Sequence, residues 1–290
     1  MTTTTLVAGA TGYLGRFVVA ELHRRGHKVR ALTRSRERAV SPGPWDSPSL
    51  DGLVDDWAIG EVTNPAFIAD VAVGIDDVIS TLGVTRQKAN PWDIDHRANL
   101  AILRSAETHG VTHFCFVNVI GGDQCPAQLT RAKTAFAQEL AASRISSQII
   151  NPPGYFSDMT QILQMARKGR VLLFRPDTRI NPIHGADLAT FCIDRLTDGK
   201  EGTWDVGGPE VFTWKGLAEC AFQALHRPVR VATMSPAILS PLIGALRLFN
   251  RRRADMLRFI SWNMLRDCVG EPFGTHGLLD FYKDLVAGRH

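Results

Sequence analysis

The chain is short of the features that mark several protein classes. Its five cysteines, Cys115, Cys125, Cys192, Cys220 and Cys268, are odd in number and contain no C-x-x-C pair. That pattern supports neither a disulfide framework nor a zinc cluster. The histidines, including His96, His109 and His113, lack metal-ligand spacing, so no metal site is expected. Charge of one sign is scarce as well: 33 basic residues face 29 acidic ones, a net of +4, which does not call for a nucleic-acid partner. Met1 and the four threonines after it carry neither the charged nor the apolar region of a signal peptide, so the expected location is cytoplasmic.

Long apolar runs are missing too. The most apolar stretch, 237–249, contains Pro241 and Arg247 and is too short to span a bilayer, so no transmembrane segment is expected. The basic triplet Arg251, Arg252 and Arg253 follows it. The pair admits two readings: weak contact with a membrane surface, or a helical lid over a substrate cleft. There is no internal repeat or low-complexity tract. With 290 residues, 44% of them hydrophobic, the chain is long enough to bury a sizeable core, and disorder is not indicated.

What is present begins with a glycine-spaced turn, Val7-Ala8-Gly9-Ala10-Thr11-Gly12-Tyr13-Leu14-Gly15. It lies between an apolar run at 6–8 that suits a buried strand and a helical pattern at 16–25 that ends at Gly26. The glycines permit a tight turn, close approach of backbone to a pyrophosphate and close packing of strand on helix. The helix N-terminus adds unpaired N–H groups and the positive end of the dipole. A second strand at 28–34 completes a βαβ unit, which separates this turn from an ordinary glycine-rich loop.

An acidic residue after that second strand would hold the ribose 2′-hydroxyl of NAD. None is present. Thr33-Arg34-Ser35-Arg36 stands there, with Arg38 close behind. Guanidinium groups suit a 2′-phosphate, which favours NADP(H) over NAD(H), although NAD(H) is not excluded; the competing reading is a solvated basic loop.

Strand-like and helix-like segments go on alternating after a proline- and serine-rich excursion at 41–48. Strands are expected at 57–59, 77–83, 113–119 and 148–150, with helices at 65–73, 95–109 and 129–143. This is an α/β pattern, a Rossmann-type doubly wound parallel sheet. From about Tyr155 the alternation becomes irregular. The expected division is therefore a Rossmann domain over 1–155 and a smaller substrate-binding lobe over 156–290, interleaved with the last strands.

The glycine turn, Arg34, Gly60-Glu61-Val62, the turn at 80–83 and Asn181-Pro182-Ile183-His184-Gly185-Ala186-Asp187-Leu188-Ala189 together resemble the atypical short-chain dehydrogenases. Within them the chain is most similar to the nitrogen-metabolite-repression regulator-like and divinyl-chlorophyllide-reductase-like branch, whose members end much as 270–278 does here. The resemblance implies a nucleotide held by Gly9, Thr11, Gly12, Tyr13, Leu14 and Gly15, then by Thr33, Arg34, Arg36 and Glu61. Thr81, Leu82, Gly83, Asn118, Lys133, Asn151 and Pro153 complete the set it implies.

The catalytic part departs from the family pattern. A tyrosine normally stands four residues before the lysine matched by Lys133, and a serine near the end of the preceding strand; here those places hold Leu129 and Val117-Asn118-Val119. Lys133, the candidate for binding the nicotinamide ribose and for stabilising negative charge, competes with the reading of a solvent-facing helix lysine. Of three tyrosines, Tyr13 lies in the phosphate turn and Tyr282 in the last helix, which leaves Tyr155 as the candidate proton donor or substrate wall. His184 and Asp187 are assigned to structure, with Asp187 capping a helix over 187–196. Tyr155, Phe156, Met159, Ile162, Leu163 and Met165 suggest an apolar small-molecule substrate; the competing reading, commoner for such residues, is a packed core. Without the tyrosine, an enone or quinoid acceptor suits the machinery better than a simple ketone. The competing expectation is a redox sensor or accessory subunit that binds NADP(H) without turnover. The oligomeric state stays open.

Overall fold

The strands at the start of the chain are built from β-branched and aliphatic residues and are buried on both faces, as a sheet covered on both sides by helices requires. The computed structural model describes residues 2–84 and 89–288. The chain runs through β1 (Thr4–Ala8), α1 (Tyr13–Arg24), β2 (Lys28–Thr33), α2 (Arg36–Val40), β3 (Asp56–Ile59), α3 (Pro65–Ile68) and β4 (Asp77–Ser80). A π-helical segment, Trp92–Ala98, leads into α4 (Asn99–Thr108), followed by β5 (His113–Val117), α5 (Gln128–Ala141), β6 (Ser146–Asn151), α6 (Phe156–Arg167), β7 (Val171–Leu173) and β8 (Arg179–Ile180). The remainder is α7 (Gly185–Asp198), β9 (Gly202–Gly207), β10 (Phe212–Thr213), α8 (Trp214–Ala224), β11 (Val231–Thr233), α9 (Leu239–Phe249), α10 (Arg251–Met264), β12 (Glu271–Pro272) and α11 (Leu278–Ala287).

The chain divides into two compact units. Unit 1 takes the residues up to Asn118, then Ala132–Asn151 and Leu188–Trp204; unit 2 takes Val119–Arg131, Pro152–Asp187 and the residues from Asp205 onward. In unit 1, β6, β5, β4, β1, β2 and β3 lie side by side in that order, every pair parallel. The order reverses direction between β1 and β4, the switch point at which doubly wound sheets bind ligands beyond the carboxyl ends of their strands. The full sheet has eight strands, with β9 and β12 after β6. β9 begins in unit 1 and ends in unit 2, where Val206 and Gly207 pair with Glu271 and Pro272 of β12.

The core of unit 1 sets Leu6 and Val7 of β1 against Val18, Val19 and Leu22 of α1 and Val78 and Ile79 of β4, all buried. Phe136 of α5 packs between Phe114 and Phe116 of β5, edge-on to Phe116 at 4.7 Å between centroids. Unit 2 has a second core, in which Phe156, Met159, Ile162 and Leu163 of α6 meet Trp214, Leu217 and Phe222 of α8 and Tyr282 of α11.

Three expected helices differ in extent. The first begins at Tyr13 instead of 16, because Gly12 occupies the extended N-cap position. The helix expected over 65–73 stops at Ile68 and gives way to turns that close at Gly74, whose φ is +71°. The one expected over 95–109 starts at Trp92 and is π-helical through Ala98. Among the described residues no helix is long and apolar enough to cross a membrane.

Candidate functional site

The turn between β1 and α1 is held by Gly12 N–H donating to Gly9 O at 2.9 Å. Gly9 has φ +82°, and a Cβ there would stand 2.8 Å from Thr81 Oγ1, so glycine is required both by conformation and by space. A Cβ on Gly15 would come within 2.1 Å of Gly9 O; its absence lets α1 pack directly against the turn. Thr81 Oγ1 donates to Ala8 O and Gly9 O, tying the turn after β1 to the turn after β4. Thr11 and Gly12 are exposed, whereas Leu14 is buried beneath them and Tyr13 packs edge-on against Phe17 and Trp45. No side chain caps α1 at Gly12.

One contributor to this turn escaped sequence reasoning. Arg16 is buried, and its guanidinium donates to Thr11 O and to the carbonyls of Arg38, Ala39, Ser41 and Pro48. It thus fastens the 38–48 excursion to the phosphate turn with five bonds.

At the end of β2, Thr33 is buried, with Oγ1 exchanging hydrogen bonds with Ser35, and Ser35 caps α2. That local order projects Arg34, Arg36 and Arg38 to the surface. Arg36 lies 5.6 Å from the centroid of the Trp57 ring. Glu61 is exposed just after β3, where Gly60 N–H donates to Thr33 O.

Lys133 does not face solvent: it is 6% exposed. Its ammonium donates to Leu82 O at 3.0 Å and Val117 O at 2.9 Å, and stands 3.4 Å from Asp95 Oδ1. These three oxygens match the three N–H bonds of an ammonium group. The Phe116 ring lies beneath, 4.9 Å from Nζ. Asp95 is wholly buried in the π-helical segment, and apart from the ion pair its oxygens have no side-chain hydrogen-bond partner among the described residues. Burial pushes its carboxyl up to about 6 against the opposing pull of Lys133, and burial also lowers the lysine. Asn99 steadies this segment, donating to the carbonyls of Ile94 and Asp95. Sequence reasoning missed Asp95 although a signal was there: with Asn99, Ile102 and Ala106 it forms one helical stripe, an acid on a buried face.

At the end of β5, Asn118 Nδ2 donates to Asn151 Oδ1 at 3.0 Å, while Asn118 Oδ1 is buried without a partner among the described residues. Unit 1 therefore gathers every expected nucleotide residue but Pro153. Pro153 and Tyr155 belong to unit 2, where both flank Gly154. Tyr155 is half-buried and its N–H donates to Asp158. Tyr282 is unsuited to proton donation, since its hydroxyl is buried, given to Met159 O, and pushed well above the usual phenol range by desolvation.

Two expectations about unit 2 need correction. Phe156, Met159, Ile162 and Leu163 do not present an open substrate wall; they form its core, and no α9 residue belongs to that core. Asp187 does not cap a helix, because α7 already starts at Gly185. Its carboxylate accepts from Thr275 N–H, His276 N–H and His276 Nδ1, the last at 2.8 Å, and His276 stacks on the buried His184 at 4.2 Å. Burial and the neighbouring His276 hold His184 down to about 4. Among the described residues no group of His, Cys, Asp and Glu side chains is placed to hold a metal ion.

A family model described as NAD(P)H-binding matches residues 9–199. The chain belongs to the NAD(P)H-binding family. That span runs from the first glycine of the phosphate turn to the end of α7 and includes Lys133, in keeping with the resemblance to the atypical short-chain dehydrogenases. The divinyl chlorophyllide a 8-vinyl-reductase of Zea mays is 29% identical over 262 residues, covering 84% of this chain. The chain spans 65% of that relative's length. The NADPH-dependent quinone oxidoreductase of Escherichia coli, solved with NADPH, superposes with a TM-score of 0.76 at 18% identity, covering 97% of this chain and 99% of that one. A triphenylmethane reductase from Citrobacter gives 0.74 at 14% identity, covering 98% and 99%. Both structures share the fold. The residues here fit a dinucleotide: α1 starts without a side-chain cap beside exposed Thr11, and Asn118 offers a buried, unpaired acceptor.

Proposed function

We propose that this chain is an NADPH-dependent reductase of a hydrophobic, conjugated small molecule, an enone, a quinoid or a similar acceptor, working without a catalytic tyrosine. The reading rests on Lys133 and its helix. The tyrosine position, Leu129, is a leucine only 4% exposed, and the lysine is bound on three sides by protein oxygens. Neither group can hand a proton to a carbonyl oxygen as a phenol would. A conjugated acceptor does not need that, because the charge it gains spreads over several atoms and water can protonate it afterwards.

When bound, NADPH would supply the hydride. The chain's own residues would hold it: the backbone of 11–15 at the α1 N-terminus for the pyrophosphate, and Arg34 with Arg36 for the 2′-phosphate. Thr81 to Gly83, Asn118 and Asn151 would border the nicotinamide ribose, and Lys133 would place positive charge behind the Leu82 carbonyl, with Tyr155 as a wall or auxiliary donor. The names of the similar proteins point the same way, to a vinyl group, a quinone and a triphenylmethane dye.

The saturated ammonium of Lys133 favours a second reading, an NADP(H)-binding sensor or accessory subunit. An assay following NADPH absorbance with a panel of enones, quinones and ketones separates the two. Consumption of NADPH with enones or quinones, and transfer of deuterium from labelled NADPH to substrate carbon, is the expected result. Efficient turnover of simple ketones with enones and quinones untouched would sink the first reading, and tight NADPH binding with no turnover at all would establish the second.

A further inference from the structure

α9 forms a surface that the nucleotide site does not use. Ile238, Leu242, Ala245 and Phe249 recur at helical spacing with Leu248 beside them, and all are exposed. Leu248 and Phe249, at the helix tip, are 83% and 88% exposed. The other side of α9, where Leu239 is buried and Ile243 and Leu246 are half-buried, packs on α10. An apolar stripe this open is unusual for a side that faces only water.

The charges that flank it in sequence are of one sign. Between Glu219 and Asp255 the sequence holds no acidic residue, while Arg227, Arg230, Arg247, Arg251, Arg252 and Arg253 are all present. Arg247 and the triplet are exposed directly around the helix tip. The carboxylate nearest in sequence, Asp255, accepts Gln128 N–H and pairs with Arg258.

We propose that α9 docks unit 2 on an anionic lipid surface, with the Ile238, Leu242 and Phe249 stripe entering the headgroup boundary and Arg247 and Arg251 to Arg253 lying against lipid phosphates. An eleven-residue helix extends roughly 16 Å, about half a hydrocarbon core, so it lies in the interface and does not span. A second copy is a poorer occupant, because in an isologous contact through this face the 220–254 segment offers its partner's arginines no carboxylate. The charge complements phosphate, and the apolar tip needs only an acyl boundary.

Vesicle flotation tests this with phosphatidylcholine alone and with an equal mixture of phosphatidylcholine and phosphatidylglycerol. The protein should float with the mixed vesicles only, and added salt should release it. The double variant Leu248→Glu/Phe249→Glu should stay at the bottom of the gradient. Arg251→Gln/Arg252→Gln/Arg253→Gln should weaken binding by about fivefold per charge, roughly a hundredfold in all. NADPH titration and the melting temperature should match the parent protein in both variants; if the glutamate variant does not fold, the arginine triple decides alone. No flotation with the mixed vesicles, or equal flotation with both kinds, would overturn the proposal. So would a dimer by light scattering that Leu248→Glu/Phe249→Glu turns into a monomer.

Discussion

Replacing Lys133 with methionine keeps the length of the side chain and removes the only cation paired with Asp95 among the described residues. The carboxylate is wholly buried and, among the described residues, has no other side-chain partner, so its compensation falls to backbone N–H groups alone. Removing one member of a buried pair costs about 3–5 kcal/mol. Asp95→Leu should cost a similar amount by stranding the ammonium, although Leu82 O and Val117 O still accept from it. The double variant Asp95→Leu/Lys133→Met strands no charge and leaves two carbonyls short of a donor. It should lose only about 2–3 kcal/mol, less than either charge-stranding variant. Urea midpoints read by tryptophan fluorescence give all three values. The deficit of Lys133→Met also depends on pH. The native Asp95 carboxyl titrates at about 6 and the unfolded one near 3.8, so its ionisation costs the native state about 3 kcal/mol, fully present above pH 6 and absent below 3.8. Without the lysine the native value rises further, and the deficit should be larger at pH 8 than at pH 5. Single variants that each lose under about 1 kcal/mol, or costs that simply add, would show that the pair is not a coupled buried unit.

Three further outcomes follow from the geometry. Arg34→Ala should weaken NADPH binding by roughly 10- to 100-fold, as loss of charge-assisted bonds to a phosphate implies, and leave NADH nearly unchanged; equal losses in calorimetric titrations would remove the 2′-phosphate assignment. Gly15→Ala should abolish nucleotide binding and lower the melting temperature, since its Cβ would meet Gly9 O at 2.1 Å; a variant that binds NADPH normally would contradict the packing described. His184 is held near 4 while the unfolded imidazole titrates near 6.5, so its contribution is present above 6.5 and is lost, by about 3 kcal/mol, as pH falls through 4. His184→Asn should flatten that acid limb, and pH profiles of urea midpoints parallel to those of the parent would refute the assignment.

The nucleotide half of the molecule was readable because its constraints are local. Gly9 is demanded by its own φ of +82° and Gly15 by the approach of Gly9 O six residues before it, and the arginines after β2 follow directly from strand length. Lys133 was found by its register with a family, but its environment was not. Three elements far apart in sequence, the turn after β4, the end of β5 and the π-helical segment, converge on its ammonium. The stripe of Asp95, Asn99, Ile102 and Ala106 marks an acid on a buried face without saying which cation meets it. In unit 2 the periodicity of α6 showed an apolar face without saying whether that face met a ligand or α8. Asp187 looked like a helix cap because its partner, His276, lies 89 residues away.

The division of the chain into interleaved segments governs its synthesis as well. Unit 1 closes only when Leu188–Trp204 has been made, and by then two of the three segments of unit 2 have already left the ribosome without their C-terminal complement. Neither unit can therefore mature first as a continuous nascent stretch in the manner of beads on a string. A stop codon anywhere before α11 leaves unit 2 without Tyr282, which is buried in its core. Truncation libraries of this chain should yield no short folded fragment.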